Sequence, residues 1–484
     1  MGSPSVDLTV VVPLVDPRGL GLTALRAWAR EQTADRTRFR VQVMLSREST
    51  HSPAEVRAVL DAADAVVETK GDVGALLDTG ARHADSKLVL FTEGHCLPDA
   101  ACLAELFGYL DAHPEMDGAL LGTAHGNQTP LAGFEARMYD AAVPDWIAKA
   151  PLHCVKIRGF AIRRETYLAA GGLDASLGFF AEDALSARLR DVGARIGYAG
   201  KAIVRHTNTD ERTRLRASIA AFVTGELEYA RRAGFAAFEA NFGSVREASL
   251  LAAADWGLAG EGARALLALR PLGWRSRADL VGEAMACGAA ALFGRTGLRF
   301  LEEARLLKLH ALYSAQALLP KGRYETYAAL WSSMTRAERL RQAGATVPPE
   351  PRAALDADML AIPHAIGFHG PERGACGPFR WTGPVATVFL RAPAPDFSVD
   401  IDARTLPSVS QRERVGFTWL GRAVPAECVS VSEGRWSVDL RDSPDPAELR
   451  RLTIACAPIV PRRARVADER RLGLPISSVT TRAR

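Results

Sequence analysis

Short apolar runs alternate with helix-like segments in the first part of the chain, and this alternation limits the fold more than any other feature. The run at residues 8–14 (LTVVVPL) is rich in β-branched residues and contains a proline, as in a strand that is buried on both faces of a parallel sheet. Further strands are predicted at residues 41–45, 65–68 and 87–91, with a helical pattern between each pair. This order predicts a doubly wound α/β sheet whose ligand crevice lies at the carboxyl ends of its strands.

A later stretch, residues 171–206, combines a glycine turn, an acidic pair and a strand that ends near a histidine. Glu182 and Asp183 open a predicted helix, where the helix dipole favours negative charge. The strand predicted at residues 196–204 is followed by His206. An ionised carboxylate beside a hydroxyl is what a general base requires, and a histidine beyond a strand end can bind a metal. The alternative without a catalytic role is that the acidic pair caps the helix and that His206 is an ordinary surface or core residue.

The order of these features, GG-D, then ED-x-x-L-x-x-R-L-R, then A-x-V-x-H, resembles the acceptor-side half of inverting family-2 glycosyltransferases with the GT-A fold. The resemblance covers roughly residues 7–208. It implies that Asp183 is the catalytic base, that Glu182 supports it, and that His206 completes a metal site. The sequence departs from the family's processive members, because no QxxRW motif follows the histidine.

The segment after the fourth predicted strand, Thr92-Glu93-Gly94-His95, falls where the family carries Asp-x-Asp. The resemblance implies that Glu93, His95 and His206 bind a divalent cation, Mn²⁺ or Mg²⁺, that neutralises the leaving diphosphate of a nucleotide-sugar. Imidazole ligands favour the softer ion. Because Glu-x-His replaces Asp-x-Asp, a metal-independent enzyme stays an alternative, as does a polar turn without a ligand.

Candidate donor-binding residues come from the same resemblance. The second predicted strand runs into Ser46-Arg47-Glu48, where many family members have an Asp that holds the nucleotide, so other groups are expected to bind it. A segment at residues 153–163 resembles the part of the family that approaches the donor sugar, and a glycine there permits close contact. The candidates are Pro13, Val15, Asp16, Asp72, Glu93, Arg158 and Gly159.

The periodicity of the chain predicts four regions. Residues 1–210 form the α/β domain, residues 211–347 a helical domain, residues 348–460 an all-β sandwich, and residues 461–484 a mobile basic tail. Phe379, Arg380 and Trp381 lie beside a predicted strand of the sandwich, which is a candidate carbohydrate-binding module. The alternative is that these aromatic rings belong to the core.

Composition excludes several classes of protein. A net charge of +4 on 484 residues argues against a dedicated nucleic-acid binder. Seven cysteines without CxxC spacing suit reduced thiols in a cytoplasm, and abundant Arg and Ala suit a bacterial source. No signal peptide or long apolar span is visible in the sequence. We therefore expect a cytoplasmic protein, with peripheral contact at the inner face of a membrane as a further candidate.

Two functions stay open at this stage. The first is a glycosyltransferase that moves a sugar from a nucleotide-sugar donor to a glycan or lipid-linked acceptor in polysaccharide biosynthesis, as a monomer or a homo-oligomer. The alternative is a non-catalytic carbohydrate-binding or scaffold protein with a decayed GT-A domain. A nucleotidyltransferase is disfavoured, because no Gly-rich phosphate loop follows the first strand.

Overall fold

The computed structural model describes residues 6–15, 18–48, 53–127, 129, 131–133, 135–136, 139–140, 143, 147, 155–242, 258–269, 274–294, 296, 300, 349–361, 363–404, 414–443, 445–459 and 472–484. These residues form two compact units. Among the described residues, those up to Tyr229 belong to the first unit and those from Ala230 onward to the second.

The first unit is built on an eight-stranded mixed sheet in the order β3-β2-β1-β4-β7-β6-β8-β5. Its strands are β1 (Leu8–Pro13), β2 (Phe39–Ser46), β3 (Ala65–Thr69), β4 (Leu88–Phe91), β5 (Cys96–Pro98), β6 (Gly118–His125), β7 (Phe160–Arg163) and β8 (Ile196–His206). The first four strands are mutually parallel, β6 and β8 are parallel to each other, and β7 and β5 run antiparallel to their neighbours. The predicted α/β fold class is confirmed.

Helices cover both faces of this sheet, which is why β1 is buried along its whole length. They are α1 (Gly21–Arg30), α2 (Pro53–Ala62), α3 (Val73–His83), α4 (Cys102–Ala112), α5 (Arg164–Ala169), α6 (Ala181–Asp191) and α7 (Arg212–Ala233), the last of which crosses the unit boundary. On one face, Val10 and Val12 share a core cluster with Trp28 of α1. On the other face, α3 approaches closely at Gly80, where an added Cβ would lie 2.4 Å from Val11.

The second unit contains two antiparallel sheets around one core. Its strands are β9 (Ala354–Asp356), β10 (Ala365–Gly374), β11 (Gly377–Phe389), β12 (Asp396–Asp402), β13 (Val415–Trp419), β14 (Arg422–Ala423), β15 (Val429–Ser432), β16 (Arg435–Arg441), β17 (Arg451–Cys456), β18 (Pro475–Ile476) and β19 (Ser478–Ala483). Rings from the two sheets meet edge to face, with 5.5 Å between the centroids of Phe397 and Trp419 and 5.4 Å between those of Phe417 and Trp436. The prediction of a C-terminal all-β region is confirmed, and this region consists of antiparallel sheets.

Helices of the second unit are α8 (Phe235–Phe242), α9 (Leu258–Ala268) and α10 (Trp274–Phe293). Leu266 of α9 and Leu280 of α10 share a core cluster with Ala455 of β17, and Arg451 pairs with the buried Glu261. A separate helical domain was predicted at residues 211–347. The helices that the structure describes in this range are distributed between the two units. No helix in the described ranges is long and apolar enough to cross a membrane.

The expectation of a mobile tail is wrong for residues 472–484. Strand β19 lies between β12 and β9 in the five-stranded sheet, and Val479 is fully buried. The hydrogen bonds of two neighbouring strands stabilise this segment, although its arginines suggested a solvated tail. Residues 460–471 lie outside the described residues.

The prediction that Phe379, Arg380 and Trp381 form an exposed surface for stacking on sugars is also wrong. Phe379 and Trp381 are 5% and 7% exposed, and their rings pack edge to face with centroids 6.0 Å apart. Arg380 is 2% exposed and donates to the carbonyl of Ala357. The alternative, that these side chains belong to the core, accounts for their positions.

Candidate active site

The strand register of the mixed sheet brings three distant segments of the chain together. Strand β5 pairs antiparallel with β8 so that Cys96 lies opposite His206, which places the preceding residue His95 beside it. Strand β6 pairs with the other side of β8, and there His125 lies opposite His206. The β4–β5 loop carries Glu93 at the carboxyl end of the central parallel strands.

Glu93, His95 and His206 form a compact cluster. Glu93 Oε2 lies 3.6 Å from His95 Nε2 and 3.3 Å from His206 Nε2, and the two Nε2 atoms are 3.1 Å apart. Both histidines are buried, whereas the Glu93 side chain is 15% exposed. The structure therefore brings together the three residues that the sequence proposed as metal ligands.

These three atoms fit a single ion. At the measured separations a point equidistant from them lies about 1.9 Å from each, close to the roughly 2.0–2.2 Å at which zinc is bound by imidazole and carboxylate. Two imidazole nitrogens and one carboxylate oxygen would hold a divalent ion at this place. Cys96 is also near, with its Sγ 4.0 Å from Glu93 Oε2. The ligand atoms of Glu93, Cys96 and His206 all lie within 4.8 Å of one another, so the thiol is a further candidate ligand. Burial and the Glu93 charge raise the pKa of Cys96 in the metal-free protein.

The charge states of the cluster follow from its surroundings. Burial raises the pKa of Glu93, but His95, His206 and Arg158 outweigh this effect and hold the pKa below its ordinary value. Burial and Arg158 lower the pKa of His206, although Glu93 opposes them. At neutral pH the cluster is therefore a carboxylate beside a neutral His206, which is the state that binds a cation.

A half-buried arginine, Arg158, lies beside the cluster, with 16% of its side chain exposed. The Arg158 guanidinium pairs with Glu135 and lies over the ring of Tyr139, with its Cζ 4.6 Å from the ring centroid. Burial lowers the pKa of Arg158, but Glu135 and Glu93 more than compensate, so the guanidinium stays charged. Its NH1 nitrogen is buried and has no hydrogen-bond partner among the residues that the structure describes. A buried unsatisfied donor of this kind is costly and indicates a site that receives a further group.

The acidic pair lies at the first turn of α6, as the sequence predicted. Ser186 Oγ donates to the Glu182 carbonyl and accepts from the backbone N of Val155, which holds the neighbouring Lys156 against the helix. Lys156 Nζ then lies 3.4 Å from Glu182 Oε2 and 3.3 Å from Asp183 Oδ1. Gly178, at a φ of 51°, provides the bend that precedes the helix.

Glu182 lies within electrostatic range of the Glu93 cluster. Burial raises its pKa to about 7 even though Lys156 lowers it, and Asp183 and Glu93 add to the increase while Arg158 opposes it. Lys156 contacts the acidic pair, and two positions later the carbonyl of Arg158 accepts from Thr92 Oγ1, next to Glu93. The segments that carry Glu93, Glu182 and His206 therefore share one region of the first unit. A carboxyl group poised near neutral pH is suited to accept or deliver a proton.

The remaining donor-binding candidates are less closely associated with the cluster. Pro13 is buried at the end of β1, and its carbonyl would lie 2.7 Å from a Cβ added to Gly94. Asp72 caps α3 by accepting from the backbone N of Ala75 at 3.0 Å. Gly159 is buried against Leu121 and Val204, so packing alone explains it. Val15 is half-buried in the loop after β1, and Asp16 lies outside the described residues.

Several residues of the site were missed by sequence reasoning. His206 Nδ1 lies 2.8 Å from Asn208 Oδ1, whose amide Nδ2 lies 3.1 Å from His125 Nδ1. Glu135 accepts from Arg158 and from the backbone N of Thr209. The contacts of His125 with Asn208 and of Glu135 with Thr209 join residues 83 and 74 positions apart, and Glu135 and Arg158 are 23 positions apart. Only the two-residue spacing of His206 and Asn208 could have been read from the sequence.

Comparison with known proteins finds distant likenesses among solved structures. Neither a protein-family model nor a curated protein sequence matches the chain. A mannosyltransferase from Pyrobaculum calidifontis, in complex with GDP-Man and Mn²⁺, is similar over 71% of this chain and 89% of its own, at 17% identity and a TM-score of 0.41. TarS of S. aureus (residues 1–349) is similar over 70% of this chain and 92% of its own, at 13% identity and a TM-score of 0.34. These values describe a distant likeness, and the function is inferred below from the residues of the site.

Proposed function

We propose that the first unit is an inverting glycosyltransferase of the family-2 type, which moves a sugar from a nucleoside-diphosphate sugar to an acceptor hydroxyl. In this reaction the acceptor oxygen bonds to the anomeric carbon as the bond from that carbon to the diphosphate oxygen breaks. The acceptor proton must be removed, and the negative charge of the leaving diphosphate must be balanced.

One observation carries the proposal: an acidic pair at a helix start shares a region with a buried Glu–His–His cluster and two cations. Lys156 contacts both Glu182 and Asp183, while Glu93 and Arg158 act electrostatically on Glu182. This combination provides a base on one side and charge compensation on the other. Each is required for the transfer, and neither alone would support it.

The residues have separate roles in this proposal. Asp183 removes the proton from the hydroxyl group of the acceptor substrate. Lys156 balances the negative charge of the neighbouring Glu182 and Asp183 carboxyl groups. Glu182, with its pKa near neutrality, supports the base by holding or releasing a proton at its own carboxyl group. Arg158 stays charged beside the cluster and supplies a fixed positive charge toward the diphosphate.

Glu93, His95 and His206 would hold a divalent cation, Mn²⁺ or Mg²⁺, with the two imidazoles favouring Mn²⁺. When bound, the ion would supply Lewis-acid compensation for the charge of the diphosphate. Pro13, Val15, Asp16, Asp72 and Gly159 stay candidate donor contacts.

The test is release of the nucleoside diphosphate from a panel of UDP- and GDP-sugars, with Mn²⁺, Mg²⁺ or EDTA present. We expect turnover of one donor by the wild-type protein and a loss of about 100-fold or more in Asp183→Asn, because removing a general base costs roughly 10²- to 10⁴-fold. Asp191→Asn is the matched control, since Asp191 is exposed at the other end of the same helix. It should keep wild-type turnover.

The alternative of a non-catalytic binding or scaffold protein gives a different result. It is supported if a nucleotide-sugar raises the melting temperature of the protein but is not consumed, and if Asp183→Asn changes neither property. Binding to the native state raises stability with the logarithm of saturation, so the shift should grow with ligand concentration.

A further inference from the structure

A line of hydrogen-bonded side chains runs from the surface of the first unit to the buried His206. His125 Nε2 lies 2.8 Å from Asp140 Oδ1, which belongs to a side chain that is 58% exposed. His125 Nδ1 lies 3.1 Å from Asn208 Nδ2, and Asn208 Oδ1 lies 2.8 Å from His206 Nδ1. Asn208 is 1% exposed.

The backbone of Asn208 is held independently of its side chain. Its N–H donates to Asn127 Oδ1 at 2.9 Å, and its carbonyl accepts from Asn127 Nδ2 at 2.8 Å. The side-chain amide is therefore presented to the two histidines from a fixed backbone position. Burial of the amide adds to this constraint, because a buried amide must keep its partners.

The chemistry of each group decides which atom donates and which accepts in each hydrogen bond of the line. A carboxylate only accepts, so His125 Nε2 carries a proton toward Asp140. The amide nitrogen of Asn208 only donates, so His125 Nδ1 accepts from it and is unprotonated. The amide oxygen only accepts, so His206 Nδ1 carries a proton, which leaves the Nε2 lone pair of a neutral His206 directed toward His95 and Glu93.

We propose that Asn208 and His125 are positioning residues that hold His206 in the Nδ1–H tautomer, so that its Nε2 lone pair is available as a ligand. The inference rests on the proposed function only where it concerns the cation. Groups that orient a metal-binding histidine through its other nitrogen typically contribute about 10- to 100-fold to metal affinity.

A competing state exists in which the hydrogen-bond donors and acceptors along this line are exchanged. If the Asn208 amide were reversed, its oxygen would face His125 Nδ1, and His125 would need protons on both nitrogens to bind Asn208 and Asp140 together. His206 would then accept at Nδ1 and donate from Nε2 to Glu93, 3.3 Å away. In that state the His206 lone pair would face away from the cluster.

The tautomer is measured directly by ¹⁵N–¹H correlation spectra of the full-length protein with ¹⁵N-labelled histidine and no added metal, at neutral pH. The signals of His206 are assigned by their loss in His206→Gln. We expect the Nδ1–H pattern for His206 in the wild-type protein and in Asn208→Asp, which keeps an acceptor for Nδ1. An Nε2–H pattern in the wild-type protein would overturn the proposal.

The effect on the cation is measured by titrating Mn²⁺ and Zn²⁺ into the same proteins. We expect Asn208→Leu to weaken binding about 10- to 100-fold, with a smaller loss in His125→Leu. Thr209→Val is the matched control, because Thr209 is also buried, its hydroxyl donates to the carbonyl of Glu211, and its backbone bond to Glu135 is kept. Equal affinities in Asn208→Leu and the wild-type protein would overturn the positioning role.

These two readouts separate this inference from the proposed function. A wild-type protein that binds neither ion would count against the metal role under the proposed function, and the tautomer spectrum would still decide the inference. If Asn208→Leu does not fold, Asn208→Asp and the wild-type spectrum remain decisive.

Discussion

Glu182 illustrates how burial and charge oppose each other at a single residue. Burial raises its pKa to about 7, and Lys156 at 3.4 Å only partly offsets the effect because Asp183 and Glu93 act in the same direction as burial. Asp183, the next residue, lies at a similar distance from the same lysine. Two neighbouring carboxyl groups therefore share the charge of one lysine.

The raised pKa of Glu182 gives a pH-dependent prediction. The folded chain holds this proton up to about pH 7, whereas the unfolded chain releases it near 4.5. The folded state thus binds more protons in this window, and stability falls as pH rises through it, by about 3 kcal/mol at most. Glu182→Gln removes this titration, so its melting temperature relative to wild type should increase from pH 4.5 to pH 8.

Thermal unfolding across this pH range checks the prediction. Glu165→Gln is the control, since Glu165 also lies in the first turn of a helix but is exposed. Its difference from wild type should not vary with pH. A difference for Glu182→Gln that is equally constant would contradict the raised pKa.

At the scale of elements, α7 holds the segment that leads into the acidic pair. Gly225 lies where a Cβ would come within 1.8 Å of the Leu177 carbonyl oxygen and 2.9 Å of the Phe180 Cβ. Helix α7 therefore packs directly against residues 175–180, which precede α6. Only a residue without a side chain allows this approach.

Two helical glycines give a matched pair of predictions. Gly225→Ala should destabilise the first unit by about 1–3 kcal/mol, as overpacking typically does, and should lower turnover because α6 carries Glu182 and Asp183. Gly108→Ala, in α4, meets no atom within 4 Å and should instead stabilise the protein by about 0.5–1 kcal/mol through helix propensity. Urea unfolding measures both effects, and equal effects of the two changes would contradict the packing described.

The sequence predicted elements better than contacts, for a physical reason. The period of apolar residues is local, so the strand expected at residues 41–45 falls inside β2 (Phe39–Ser46). The resemblance implied that His95 and His206 meet. Their meeting depends on the β5–β8 register, which local periodicity does not specify. Asn208 and His125 meet across 83 positions through the β6–β8 pairing, and no local pattern marks them.

At the scale of the whole molecule, the sequence predicted the architecture of the second unit but not where its all-β region ends. The sandwich was predictable from its period of two, but its last strands were not, because charge composition at residues 461–484 suggested a solvated segment. Burial of Val479 and Thr481 shows that only alternate residues of β19 need to face the core. The exposed Arg482 on the same strand contributes to the charge without preventing the pairing.

The position of β19 inside its sheet gives a prediction for the second unit. Val479→Asp should strongly destabilise the sandwich, because it places an unpaired charge in a fully buried position. Arg482→Gln, on the same strand but 71% exposed, should change stability by less than about 0.5 kcal/mol. Limited proteolysis and circular dichroism distinguish the two variants. A Val479→Asp protein as resistant as wild type would indicate that the C-terminal segment is not part of the sheet.

We propose that the Glu93–His95–His206 cluster is the place where a cation meets a nucleoside diphosphate. Pulsed EPR of Mn²⁺ bound to the full-length protein tests it directly, because it detects ¹⁴N of coordinated imidazole and ³¹P of a coordinated diphosphate on the same ion. We expect ¹⁴N couplings in the wild-type protein, their reduction in His206→Gln, and ³¹P couplings when UDP or GDP is added. A wild-type spectrum with ³¹P couplings but no ¹⁴N couplings would contradict the claim, because the nucleotide and its ion would then be bound away from the histidines.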